Sequence, residues 1–142
     1  MRVLFDTNII LDVLLDRKEF VELSANLVSL VEKKTIKGYL CATTLTTIDY
    51  LISKAYDRNK AKIAIKGLLS IFEIASVNKE TLSLAAESNF SDFEGAVQYY
   101  SGQLVSVDSI VTRNISDFKK ASYPIYSPSE LWGIIQINKL DN

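Results

Sequence analysis

The stretch Val3-Leu4-Phe5-Asp6-Thr7-Asn8-Ile9-Ile10-Leu11-Asp12 decides the fold. An apolar run of strand type stops at a carboxylate, and an apolar run of helical type begins directly after it. Strand, polar terminus and helix in immediate succession are the opening unit of an open α/β sheet, where ligands bind outside the carboxyl ends of the strands. Two roles are then open to Asp6: it can cap the helix that follows or hold a cation. A second acidic helix start, Ser91-Asp92-Phe93-Glu94-Gly95-Ala96, and a strand-like run ending in polar residues, Ile110-Val111-Thr112-Arg113-Asn114, suggest that three such termini share one site.

Outward from this stretch the alternation continues. Val3 to Phe5 reads as a strand and Ile9 to Leu15 as a helix, and Phe20, Leu23, Leu27, Leu30 and Val31 then recur at helical spacing up to a break at Lys37-Gly38. Tyr39 to Ala42 is the second expected strand and Thr43 to Tyr56 the next helix, followed by a turn at Asp57 and a helix with Ile63, Ile65, Leu68, Leu69 and Phe72 as its apolar residues. Glu73 to Val77 is a short strand, and Asn78 caps a helix reaching Ser88. The Ser91-x-x-Glu94 spacing predicts a capping box at the head of a largely buried helix running to Leu104. A strand over Val107 to Thr112, a polar loop, an edge strand over Tyr123 to Tyr126 interrupted by Pro124, and a helix start at Ser127-Pro128-Ser129-Glu130 complete the pattern. The expected fold is α/β, a three-layer α/β/α sandwich with a small, mainly parallel central sheet, and residues 1–142 are expected to form a single domain.

Composition narrows the chemistry. Among the 142 residues there is no histidine, which removes the commonest general base, the Ser-His and Cys-His nucleophilic arrangements, and the imidazole ligands of zinc sites. Carboxylates are left to do any hydrolytic work, and oxygen-only ligand sets favour magnesium or manganese. Cys41 is the single cysteine, so no intrachain disulfide forms; its setting reads as a buried strand. A net charge of -1 argues against a surface built for strong nonspecific attraction to nucleic acid, although Lys54, Arg58, Lys60, Lys62 and Lys66 crowd one stretch. No leader-like segment and no apolar run of membrane-spanning length is present, so a soluble, cytoplasmic protein with no membrane partner is expected.

Phe5-Asp6-Thr7-Asn8-Ile9-Ile10-Leu11-Asp12, Asp92-Phe93-Glu94-Gly95-Ala96-Val97-Gln98, and Ile110-Val111-Thr112-Arg113-Asn114 through Asp117-Phe118 together resemble the PIN domain family, in the right order and across the whole chain. The resemblance implies a small parallel sheet with acidic residues gathered at the strand carboxyl ends around Mg2+ or Mn2+. It further implies an endoribonuclease acting on RNA, similar to the toxins of bacterial toxin-antitoxin pairs, with an antitoxin protein as partner and homodimerisation as a common property of the family.

Phosphodiester hydrolysis needs an activated water and charge neutralisation on the phosphate, both of which divalent cations supply. Asp6 is the expected central ligand, Asp92 the second and Asp117 the third, with Asn114 placed to orient a water. Thr7, Asn8, Thr112 and Arg113 are the expected nucleic-acid contacts; helix capping and a surface ion pair are the other roles open to them. The chain departs from the family at Gly95, where an acid usually precedes the alanine, and at Thr47, where a glutamate is usual. Asp49 and Glu94 are the additional acids within reach, Glu94 being also the capping-box partner of Ser91. A metal-dependent ribonuclease is the first expectation; a catalytically degenerate PIN domain that binds nucleic acid or a protein is the second, and a scaffold acting through assembly the third.

Overall fold

A computed structural model describes residues 1–140. In chain order the elements are β1 (Arg2–Phe5), α1 (Thr7–Leu14), α2 (Val21–Glu32), β2 (Lys37–Cys41), α3 (Ala42–Ala55), α4 (Arg58–Ile71), β3 (Glu73–Ala75), α5 (Lys79–Glu87), α6 (Phe93–Leu104), β4 (Ser109–Val111), a 3-10 turn (Ile115–Phe118), β5 (Ile125–Tyr126) and α7 (Pro128–Leu140). All strand pairs are parallel and the sheet order is β3-β2-β1-β4-β5. Among the described residues no helix is long and apolar enough to cross a membrane.

The inner strands β1, β2 and β4 read as largely apolar runs because they are buried on both faces. Val3 and Phe5 pack with Leu40 and Val111 against residues of α1, α2, α3, α4 and α7, whereas Leu4 and Ile110 point to the opposite face with Tyr39, Tyr99 and Phe118. That alternation along β1 is the two-residue period of a pleated strand, and with apolar residues on both sides the period disappears from the sequence. The second face is closed by α5 and α6 through Ala85, Ala96 and Val97 against Cys41. Cys41 is thus a core residue, fully buried.

Connection order creates the site. The sheet reverses direction of growth at β1, whose neighbours β2 and β4 lead away on either side. The Asp6 amide donates to the Val111 carbonyl at 3.0 Å, which ties the ends of β1 and β4 together at this point. Crevices at such a switch point, outside the carboxyl ends of parallel strands, are where ligands bind in open α/β sheets. The first turns of α1 and α6 open onto it, and α3 reaches it further along, through Thr47 and Leu51.

Two sequence expectations shift. The Ser91 capping box does not form: Asp92 is the cap, its carboxylate accepting from the Gly95 amide at 2.9 Å. The polar loop after β4 contains the 3-10 turn, whose Phe118 is buried in the second core. Asn78 does cap α5, with Thr81 reciprocating.

Candidate active site

A cavity of about 220 Å³ opens at the switch point, walled by Asp6, Thr7, Asn8, Thr47, Asp92, Glu94, Gly95, Gln98, Asn114 and Asp117, with Leu11, Leu51 and Phe118 as its apolar lining. Four carboxylates face it and, among the described residues, no lysine or arginine lines it.

Asp6 sits at its base, 6% exposed. Its Oδ1 accepts from the Gln98 side-chain amide at 3.0 Å and its Oδ2 from the Thr112 hydroxyl at 2.7 Å. Burial pushes its carboxyl above the ordinary range, opposed by the hydrogen bonds from Thr112, Gln98 and the Thr7 backbone, while the negative charge of Asp117 pushes it further up. Among the described residues no cationic side chain answers this buried carboxylate. It does not act as a side-chain cap for α1, although it occupies the cap position.

Glu94 enters the same wall because α6 begins one residue later than the capping-box reading requires. With Asp92 as cap, Glu94 lies in the first turn and accepts from the Thr7 hydroxyl at 3.4 Å, and Thr7 in turn shares a 2.8 Å hydrogen bond with Thr44. Desolvation at the pocket wall and then repulsion by Asp92 and Asp6 push its carboxyl up, against the Thr7 hydrogen bond. Mutual repulsion among carboxylates in one crevice raises the cost of keeping all of them ionised. Asp117 reaches the pocket from the 3-10 turn and Asn114 from the loop before it, where the Asn114 backbone amide donates to the Thr112 hydroxyl at 2.9 Å.

Three expected residues are placed elsewhere or otherwise employed. Asp49 is exposed and lines a separate groove with Tyr50, Ser53, Lys54 and Arg58, because Thr47 takes the pocket-facing position and two helical residues are about 200° apart. Arg113 does not face the pocket: its Nε donates to Asp12 Oδ2 at 2.6 Å and its Nη2 to Asp12 Oδ1 at 3.0 Å, with the guanidinium 3.9 Å above the Phe20 ring. Thr112 is fully buried and donates its hydroxyl to Asp6, so it is employed in holding that carboxylate. Thr7 and Asn8 do line the pocket.

Gln98 was missed by sequence reasoning. It is buried, four residues after Glu94 and three after Gly95, so all three share a side of α6. That polar interruption between Val97 and Tyr99 was the available signal. Its Oε1 is buried without a hydrogen-bond partner.

The sequence profile of the PIN domain matches residues 2–116. The chain belongs to the PIN domain family. A curated relative, Ribonuclease VapC1 of Aquifex aeolicus (strain VF5), is 28% identical over 103 residues, covering 69% of this chain and 71% of the relative. Among solved structures, a chain of VapBC2 from Rickettsia felis bound to a DNA fragment from their promoter superposes with a TM-score of 0.67 at 16% identity, covering 89% of this chain and 98% of that one. A chain of a toxin-antitoxin complex from Klebsiella pneumoniae does so with a TM-score of 0.67 at 18% identity, covering 89% and 97%. At these identities the structures share the PIN fold with this chain.

PIN-domain ribonucleases generally use divalent metals. The donors present fit a hard cation in kind, since they are carboxylate, amide and hydroxyl oxygens with no thiolate among them. They are not gathered into a cage: among the described residues no three acidic or cysteine side chains are positioned to hold one ion together. Asp92 is occupied with the Gly95 amide and Asp6 with Gln98 and Thr112. An ion held by one or two carboxylates and its own waters, as magnesium usually is, suits this arrangement.

Proposed function

We propose that this PIN domain is a divalent-metal-dependent endoribonuclease that hydrolyses RNA phosphodiester bonds, acting as the toxin of a toxin-antitoxin pair. The observation behind the reading is the buried, uncompensated Asp6 carboxylate with Glu94, Asp92 and Asp117 around one cavity at the sheet's switch point. Its toxin role is supported by the VapC1 relative and by the fold shared with a toxin-antitoxin complex.

In this mechanism Asp6, with Glu94 or Asp117 beside it, would hold Mg2+ or Mn2+ together with the ion's own waters, and the ion would supply an activated water and charge neutralisation on the phosphodiester. Gln98 and Thr112 fix the Asp6 carboxylate in place through one hydrogen bond to each oxygen. Asn114 orients a water with its amide, Asn8 donates to a phosphate oxygen from the start of α1, where backbone amides favour anions, and Thr7 holds Glu94 through its hydroxyl. Leu11, Leu51 and Phe118 narrow the pocket and strengthen its electrostatics by excluding water.

A second reading, a degenerate PIN domain that binds RNA or a partner without turnover, is favoured by Gly95 and Thr47, two pocket positions that carry no carboxylate. A manganese titration of single-stranded RNA cleavage with wild type, Asp6→Ala and Gly95→Asp separates the two. Cleavage by wild type, stopped by chelator and by Asp6→Ala, supports the nuclease. Cleavage by Gly95→Asp alone establishes degeneration.

A further inference from the structure

The pocket holds no cationic side chain among the described residues, and Arg113, the nearest in sequence, is committed to Asp12. A polyanionic strand must be held from outside the pocket. The hairpin of α3 and α4 carries Lys54, Arg58, Lys60, Lys62 and Lys66 against two carboxylates, Asp49 and Asp57, a positive surplus in a chain whose net charge is -1. Among the described residues none of these five cations is in an ion pair; the two salt bridges there both belong to Asp12. Exposed aromatic rings interleave with them: Tyr50 is 61% exposed with the Lys54 ammonium 5.6 Å from its centroid, and Tyr56 is 49% exposed with Lys60 at 4.8 Å.

Helix α3 contributes both to the pocket and to the hairpin's own groove. Thr47 and Leu51 of α3 line the pocket. Lys54 lies two turns beyond Thr47, about 10 Å along the helix and only about 20° around it, so it is on the same face; Tyr50 lies between them. Tyr50 and Lys54 in turn form, with Ser53, Arg58 and Asp49, the separate groove of about 460 Å³ further along α3. On α4, Arg58, Lys62 and Lys66 recur every four residues and extend the same charged line. Cations that follow a path, with an aromatic platform beside it, are the combination by which proteins hold single-stranded nucleic acid without reading its sequence.

Resting on the phosphodiesterase reading of the pocket, we propose that the α3–α4 hairpin is the track for the RNA strand flanking the scissile phosphate, with Tyr50 stacking a base and Lys54 and Arg58 contacting phosphates. The track supplies affinity; the carboxylate pocket supplies chemistry.

Binding of a fluorescein-labelled, mixed-sequence single-stranded 12-mer RNA, measured in chelator across a salt series, tests the proposal with Lys54→Ala/Arg58→Ala, Tyr50→Ala and the control Lys33→Ala/Lys79→Ala, which removes the same net charge elsewhere. The hairpin double variant is expected to lower the magnitude of the slope of log K against log salt by about 0.7 for each phosphate that it no longer neutralises. Tyr50→Ala is expected to weaken binding by about fivefold or more with the slope unchanged. In manganese-dependent cleavage the double variant raises KM and leaves kcat near the wild-type value. If wild type binds through the hairpin yet never cleaves, the track stands and the nuclease reading falls. If wild type cleaves while hairpin and control variants have equal slopes and KM, the track is overturned and the nuclease reading stands. Loss of binding to a polyglutamate 12-mer, with RNA binding intact, makes the hairpin a protein-docking face and likewise overturns the proposal.

Discussion

Asp6, at the cap position before α1, and Asp12, within α1, are both buried aspartates, and they are treated in opposite ways. Asp12, fully buried, is met by two arginines: Arg17 Nη1 at 3.0 Å and a bidentate fork from Arg113, itself stacked on Phe20. Asp6 is met by a neutral amide and a neutral hydroxyl, with Asp117 and Glu94 as its charged neighbours. The first cluster is neutralised and complete, and it clamps the loop carrying Asn114 and Asp117 to α1. The second is incomplete in charge, the condition expected where a protein gives up stability to receive a ligand.

The largest effect should come from breaking the complete cluster. Asp12→Ala leaves Arg113 and Arg17 without a partner, and the cost is expected near 3 kcal/mol, the low end for a broken buried pair because both arginines keep some access to water. Urea unfolding at neutral pH reads it as a lowered midpoint. Asp6→Asn, by contrast, should leave the midpoint unchanged or raised while abolishing cleavage, since it removes a buried charge and lets the Gln98 amide turn so that its unpartnered Oε1 accepts from the new amide. Equal destabilisation by the two substitutions would end the comparison.

The same two aspartates show what sequence can carry. Strands buried on both faces leave plain apolar runs, so β1, β2 and the alternation with helices were legible, as was the gathering of Asp6, Asp92 and the residues after β4. The side on which each residue falls was not. Thr112 and Arg113 are adjacent, but the chain bends at Arg113 directly after β4, sending one side chain to Asp6 and the other to Asp12. Ser91 and Asp92 are both good caps, and choosing between them decides whether Glu94 serves a cap or faces the cavity; only the packing of α6 against the sheet settles that. Asp49 failed for the same reason of phase, with Thr47 taking its place.

Smaller effects sharpen the incompleteness of the Asp6 cluster. Gln98→Leu keeps the bulk of the side chain and deletes the unsatisfied acceptor, but it takes the donor from the buried Asp6 Oδ1, so stability should fall by about 1–3 kcal/mol less what removing the orphaned acceptor returns. Affinity for Mn2+, measured by calorimetry, should fall by about 10- to 100-fold, as it does when the group orienting a metal ligand is removed. Gly95→Asp should move affinity the other way by roughly tenfold, about 1.4 kcal/mol. A Cβ at this position meets Asp92 Oδ2 at 3.2 Å and the Phe118 ring at 3.6 Å, so a side chain fits with a small adjustment of Asp92 and points into the pocket. If Gln98→Leu leaves Mn2+ affinity untouched, Gln98 is a packing residue and nothing more.

The smallest effect is the pH dependence of stability. Burial first, and like charges after it, hold the Asp6 and Glu94 carboxyls above their ordinary values, so each binds its proton more firmly in the native than in the unfolded state. Such groups contribute stability that is fully present below the unfolded carboxylate values, about 3.9 for Asp and 4.3 for Glu, and lost as pH rises through the raised native values. Paired carboxylates elsewhere oppose this; hydrogen bonds from Ser127 hold Glu130 below its ordinary value, so that its contribution is lost as pH falls. The two behaviours separate in a difference experiment. Unfolding midpoints of wild type and of Asp6→Asn/Glu94→Gln, followed from about pH 4 to pH 7, should diverge with rising pH in favour of the variant. Adding Mg2+ should close the gap from the wild-type side, and more at the upper end of the range, because only the ionised carboxylates bind the cation and a ligand that binds the native state stabilises it by mass action. A gap that is constant with pH would mean that the charge of the pocket is already compensated, and Asp6 would then stand with Asp12 as a structural aspartate.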